Sequence, residues 1–109
     1  MWLVFKYDKK RFSLLMQDLR NKLGKEFKIY NPKICIKKKL KNKLVKKELN
    51  ILGDYIFCFH EKFKDHSFVR SLSFVRGLKY TLNGFEESQI EINSFIDKCK
   101  NLENPEGYL

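Results

Sequence analysis

The run "DYIFCFH" (residues 54–60) constrains the fold more than any other stretch of this sequence. In an extended chain Tyr55, Phe57 and Phe59 fall on one side and Ile56 and Cys58 on the other. A strand apolar on both sides is covered on both faces, so this one is expected in the centre of a sheet. With 109 residues, the chain fits a single domain whose core buries roughly two thirds of the unfolded surface.

Other elements group around that strand. "WLVFKY" (2–7) reads as a second buried strand. Asp8 is placed to cap a helix over roughly 9–23, in which Phe12, Leu15, Met16, Leu19 and Leu23 recur at helical spacing before Gly24 stops it. "FKIYNPKICIKKK" reads as a strand in which Pro32 is permitted only at an edge or a bulge. "KNK" is a turn into "LVKKELNI", so a basic hairpin is expected. In "SFVRSLSFVRGLKY" (67–80) the tripeptide Phe-Val-Arg occurs twice, but no further copies exist to build a repeat. The pattern predicts a short helix over His66–Leu72, followed by a strand in "SFVRGLKYT". Ser88-Gln-Ile-Glu91 has the form of a capping box. Ile92, Phe95, Ile96, Cys99 and Leu102 then continue a helical stripe until "NPEGYL" breaks it.

The order strand, helix, strand, strand, strand, helix, strand, helix predicts an α+β domain. It has a mostly antiparallel four-stranded sheet, a basic hairpin extension and three flanking helices, of the ferredoxin-like or RNA-recognition-motif type. Trp2, Phe5 and Phe59 are expected in the core, and His60 and His66 on the surface. Arg70 and Arg76 are read as a solvated face or as salt-bridge partners.

Charge is uneven. Residues 1–81 carry 21 Lys and Arg against 7 Asp and Glu, whereas residues 82–109 carry 2 against 6. The excess concentrates in "PKICIKKKLKNKLVKKE", at Lys33, Lys37, Lys38, Lys39, Lys41, Lys43, Lys46 and Lys47. Such a field attracts phosphate backbones and acidic protein surfaces, or else keeps a protruding hairpin soluble and blunts its edges. Cys35, Cys58 and Cys99 are odd in number, far apart and without CxxC spacing, which supports neither a disulfide framework nor a zinc site. The sequence offers no paired carboxylates, no nucleophile with an evident His partner and no phosphate-cradling glycine loop, so neither catalysis nor a cofactor or metal is expected. No run reaches the roughly twenty apolar residues of a membrane span, and the start has no signal-peptide pattern. A soluble intracellular protein with reduced cysteines is expected.

Two families share parts of this pattern. Trp2-Leu-Val, Asn31-Pro32 closing a strand, the basic hairpin, Gly53-Asp54-Tyr55-Ile56-Phe57, Val69-Arg70-Ser71 with Val75 and Gly77, and Ser88-x-x-Glu91 resemble, in order, the N-terminal domain of the NusG/RfaH family. Leu52-Gly53-Asp54-Tyr55 stands where that family has Phe-Pro-Gly-Tyr. "GDYIFCFH" also resembles the RNP1 strand of an RNA-recognition motif, whose rings stack on single-stranded RNA. That motif, however, lacks a third helix at 89–102 and a long basic hairpin.

The NusG resemblance implies a bacterial, cytoplasmic, monomeric transcription elongation domain. It would bind RNA polymerase at the clamp helices of the largest subunit and the gate loop of the second, and modulate pausing, processivity, antitermination or termination. By the resemblance, Phe5, Lys6, Leu52, Tyr55 and Phe57 form the clamp-helix site, and Asp65, His66 and Ser67 the gate-loop contact. Lys9, Lys10, Arg11 and Arg20 would meet non-template DNA or RNA. The domain would span 1–102, with 103–109 the start of a linker. The KOW barrel that follows it in the family does not occur in these residues, so a truncation is expected.

Overall fold

A computed structural model describes residues 1–109. Its elements are β1 (Trp2–Tyr7), a 3-10 turn (Lys9–Arg11), α1 (Phe12–Leu23), β2 (Lys28–Tyr30), β3 (Lys33–Leu40), β4 (Lys43–Asn50) and β5 (Tyr55–Phe59). There follow α2 (His66–Ser71), flanked by 3-10 turns at Glu61–Lys64 and Leu72–Phe74, then β6 (Leu78–Thr81) and α3 (Gln89–Leu102). The fold is α+β. Four strands form one antiparallel sheet in the order β2-β5-β1-β6, and β3 and β4 form a second, two-stranded one.

The main sheet has the split βαβ arrangement in which α1 carries the chain from β1 over β5 to β2, and α2 carries it from β5 over β1 to β6. The two apolar runs, β1 and β5, therefore hold the centre. Leu3, Phe5, Tyr7, Ile56 and Cys58 turn to one face, where Leu15, Leu19 and Leu23 of α1 close over them with Phe63, Leu72 and Val75. Trp2 and Phe57 turn to the other, under Ile92 and Ile96 of α3. Each of these aliphatic side chains contributes roughly 1.5–3 kcal/mol when fully buried, so the two helical layers both matter to stability.

Local signals explain the helix ends. Asp8 Oδ1 accepts a hydrogen bond from the Lys10 N–H at 3.1 Å, and Gly24, at φ +77°, ends α1 with its N–H on Arg20 O. Asp65 caps α2, accepting from the N–H groups of Ser67 and Phe68. Gly77 has the tightest requirement. Its φ is +81°, and a Cβ there would sit 2.8 Å from the Arg11 carbonyl oxygen.

Several expectations need correcting. "FKIYNPKICIKKK" is two strands, because Asn31-Pro32 interrupts it: β2 stays in the main sheet and β3 departs into the hairpin. "SFVRGLKYT" is strand only from Leu78, since Leu72–Phe74 is a 3-10 turn. The two Phe-Val-Arg copies thus lie on different elements. Ser88 stands at the head of α3, but its side chain makes no capping hydrogen bond. His60 is buried, not on the surface: its Nδ1 accepts from the Lys62 N–H at 3.0 Å and its Nε2 donates to Leu23 O at 3.1 Å. Apart from these corrections, residues 103–109 lie against the hairpin base, with the Leu109 N–H on Lys33 O and the Tyr108 hydroxyl on Glu48. No helix is long and apolar enough to cross a membrane.

Candidate docking site

The α3 face of the sheet consists of three cross-strand rows. Trp2 with Phe59 and Lys28 forms the first, Val4 with Phe57 and Tyr30 the second, and Lys6 with Tyr55 and Tyr80 the third. Helix α3 crosses only the first two. It starts at Trp2, where the Gln89 side chain accepts from the Trp2 N–H at 2.8 Å and donates to the Trp2 carbonyl at 2.7 Å. Asn93 Oδ1 accepts from the Trp2 indole N–H. Farther along, Phe95 packs on Phe57 with ring centroids 5.8 Å apart, and the helix ends near Tyr30, whose hydroxyl donates to Glu103 at 2.6 Å.

The third row is left open. The Tyr55 and Tyr80 hydroxyls lie 3.2 Å apart, and Lys6 Nζ sits 4.6 Å from the Tyr55 ring centroid. Tyr80 is 49% exposed, and the neighbouring Leu82 is also exposed. Hydrogen bonding to Tyr55, together with partial desolvation, pushes the Tyr80 hydroxyl above its ordinary pKa.

The turn before β5 holds this row in place. Gly53 takes φ +65°, the Tyr55 N–H bonds Leu52 O, and the Tyr7 N–H bonds Asp54 O. Asp54 pairs with Lys6 and Lys9, each at 3.4 Å. Desolvation acts to raise the Asp54 pKa, but the hydrogen bonds and charges of Lys9 and Lys6 outweigh it and hold the carboxyl below its ordinary value. Leu52 packs at the margin of the Trp2–Phe57 cluster. Thus Lys6, Leu52 and Tyr55, chosen from sequence, do come together on one partly open face.

Phe5 and Phe57 do not join them at the surface. Phe5 points to the opposite face of the sheet and is wholly enclosed among the α1 and α2 side chains, because its neighbour Lys6 takes the open side. Phe57 is on the correct face but lies beneath α3, so it can only form the floor of a site. Tyr80 was missed: in "GLKYT" it is an ordinary strand tyrosine, and only the register that places it opposite Lys6 marks it.

The other expected site residues lie elsewhere. Asp65, His66 and Ser67 follow the far end of β5, where the His60 N–H bonds Met1 O. Asp65 is occupied in capping α2, with its pKa lowered by hydrogen bonds from Ser67 and Phe68, and His66 Nε2 lies 2.8 Å from a Glu86 oxygen. Lys9, Lys10, Arg11 and Arg20 are exposed around the start and outer side of α1, with Lys9 engaged by Asp54. No group of three or more His, Cys, Asp and Glu side chains converges as a metal-binding set. No protein-family model matches the chain, and no curated protein matches it.

Proposed function

We propose that this chain is a NusG-type transcription elongation domain whose open Tyr55–Lys6–Tyr80 row, with Leu52 beside it, docks on the tip of the RNA polymerase clamp helices. The observation that carries the reading is the position of α3: it covers two rows of the sheet and stops short of the third, leaving Tyr80 exposed with Tyr55 and the Lys6 stem half-buried beside it. Tyrosines suit such a contact because they bury large area at low entropic cost, and they are enriched at the energetic centres of interfaces. Asp65, His66 and Ser67 lie past the opposite end of β5, at the exposed head of α2, so in this reading that helix head meets the gate loop and a single domain bridges two parts of the enzyme and modulates pausing or processivity. In this reading the domain acts in the cytoplasm as a monomer.

Burial disfavours the RNA-recognition-motif alternative. Base stacking on β5 needs Phe57, and that ring is covered by Phe95 and Ile96. The test is titration of the domain with a helical-hairpin peptide carrying the clamp-helix tip, alongside a single-stranded RNA. Tyr55→Ala and Tyr80→Ala are each expected to weaken peptide binding at least tenfold, the loss typical of an interface hot spot. An unaltered peptide affinity in both variants, or RNA binding that depends on the same two rings, refutes the proposal.

A further inference from the structure

The β3–β4 hairpin carries a second surface, unconnected with the docking row. Between Lys37 and Lys47 it holds seven lysines and no acidic residue. None of the seven has a carboxylate partner; the ion pairs of the molecule involve Lys6, Lys9, Lys33 and Arg76 instead. The hairpin is joined to the main sheet by no strand pairing and contributes to a long molecule, 54 × 29 × 24 Å. From Lys37 outward every residue to Lys47 is exposed.

Register distributes the charge. Directly opposed residues share a face, so Lys37, Lys46 and Lys39 lie on one side of the ribbon and Lys38, Lys43 and Lys47 on the other, with Lys41 in the turn. Lys37 stands directly opposite Lys46, an arrangement that destabilises a strand pair. Solubility and edge protection require charge on the edges, but not like charges facing each other across the ladder. An anionic partner that enters between or beside these ammonium groups relieves the repulsion.

We propose that the hairpin is an arm that inserts, turn first, into the major groove of duplex DNA and binds the phosphates of both groove walls. Shape supports the duplex. A two-stranded ribbon is roughly 10 Å thick, by the spacing of packed sheets, and the B-form major groove is about 12 Å wide and about 8.5 Å deep. The exposed reach from Lys37 to the turn is roughly 13 Å at about 3.3 Å per residue. The turn is narrow because Lys41 and Asn42 both adopt positive φ, 49° and 62°, which closes the hairpin in two residues. A-form RNA has a deep, narrow major groove that does not admit such a ribbon. Lysines are point charges without the forked geometry that reads guanine, so binding is sequence-independent and strongly salt-dependent. This proposal does not rest on the polymerase reading, and either can fail alone.

The test is fluorescence anisotropy with a 20-base-pair DNA of arbitrary sequence, a single-stranded RNA of equal length and poly-glutamate, from 50 to 200 mM salt. Two variants neutralise one face each: Lys37→Gln with Lys39→Gln and Lys46→Gln, and Lys38→Gln with Lys43→Gln and Lys47→Gln. Circular dichroism verifies that both retain the fold, which surface substitutions on a separate hairpin should leave intact. The duplex is expected to bind most tightly. Each variant should lose at least tenfold in affinity at 100 mM salt and flatten the logarithmic salt slope by about 2.7, at roughly 0.9 per phosphate contact. The proposal is overturned if the two triple variants combined leave duplex affinity within twofold of the parent, or if the RNA or poly-glutamate binds more tightly than the duplex.

Discussion

Gln89 of α3 gives Trp2 of β1 the two backbone hydrogen bonds that a neighbouring strand would have supplied. Strand β6 pairs with β1 only from Phe5 to Tyr7, so the Trp2 N–H and carbonyl have no strand on that edge, and the Gln89 carboxamide satisfies both at 2.8 and 2.7 Å. The helix is thereby pinned at one end of the sheet, and its path from there leaves the Tyr55–Lys6–Tyr80 row open. Gln89→Ala removes both bonds and leaves partly buried groups unpaired, which costs about 1–3 kcal/mol. Urea denaturation should show that loss. Since Trp2 is the only tryptophan, its native-state fluorescence should also shift to the red as α3 loosens; an unchanged spectrum and midpoint contradict the pinning role.

Gly77 is the glycine that the fold can least replace. Its positive φ costs a residue with a Cβ about 1–2 kcal/mol, and the close approach to the Arg11 carbonyl adds to that. Gly77→Ala is expected to lower the melting temperature by on the order of 5–10 °C. Gly84 also has positive φ but open space around it, so Gly84→Ala should cost less. Equal effects at the two sites would show that the Arg11 contact is unimportant.

Asp18 links α1 to the turn before β6. Its carboxylate accepts from the Arg76 guanidinium at 2.8 Å and from the Arg76 N–H at 2.9 Å, and these side-chain and backbone bonds lower its pKa from 3.8 to about 2. A carboxyl whose folded pKa is depressed stabilises the fold at pH above its unfolded value, and that contribution is lost as pH falls from about 4 to about 2. Titration of the Asp18 side-chain carboxyl by NMR should give the low value. Arg76→Ala should return it toward 3.8 and remove the corresponding part of the acid dependence of stability.

The cysteines should react in a fixed order. Burial pushes the Cys58 thiol up to about 12 and also raises Cys99, whereas Cys35 lies half-exposed on the hairpin. Only thiolate reacts with a disulfide reagent. At pH 8 one equivalent, at Cys35, should label in the native protein, with the other two labelling on denaturation. Rapid native labelling of Cys58 contradicts the packing of β5 described above.

How far the sequence reveals this structure depends on which residues meet only locally. The double-sided apolar pattern of Tyr55–Phe59 places β5 between two strands, and the α1 stripe with Gly24 marks the end of that helix at Leu23, although its expected first three residues, Lys9–Arg11, form a 3-10 turn capped by Asp8; caps and periodicity act over one or two turns. Pro32 has a larger effect than an edge position implies: its missing N–H breaks the ladder, and β3 departs into a separate sheet. Burial of His60 depends on the Leu23 carbonyl 37 residues away, and the open row depends on pairing Lys6 with both Tyr55 and Tyr80. Such properties belong to register and helix placement, which no local pattern specifies. Phe5 is kept from the site by strand alternation alone: adjacent positions face opposite sides, and Lys6 occupies the site's side.

The open row is most directly tested by site-specific photocrosslinking to RNA polymerase, with a photoreactive aromatic amino acid in place of Tyr80 in one sample and of Phe74 in another. Phe74 is the more exposed ring, at 87%, and borders α1 rather than the α3 face. The account predicts crosslinks to the clamp helices from position 80 and none from position 74. Absence of a polymerase crosslink at position 80, or equal crosslinking from both positions, contradicts it.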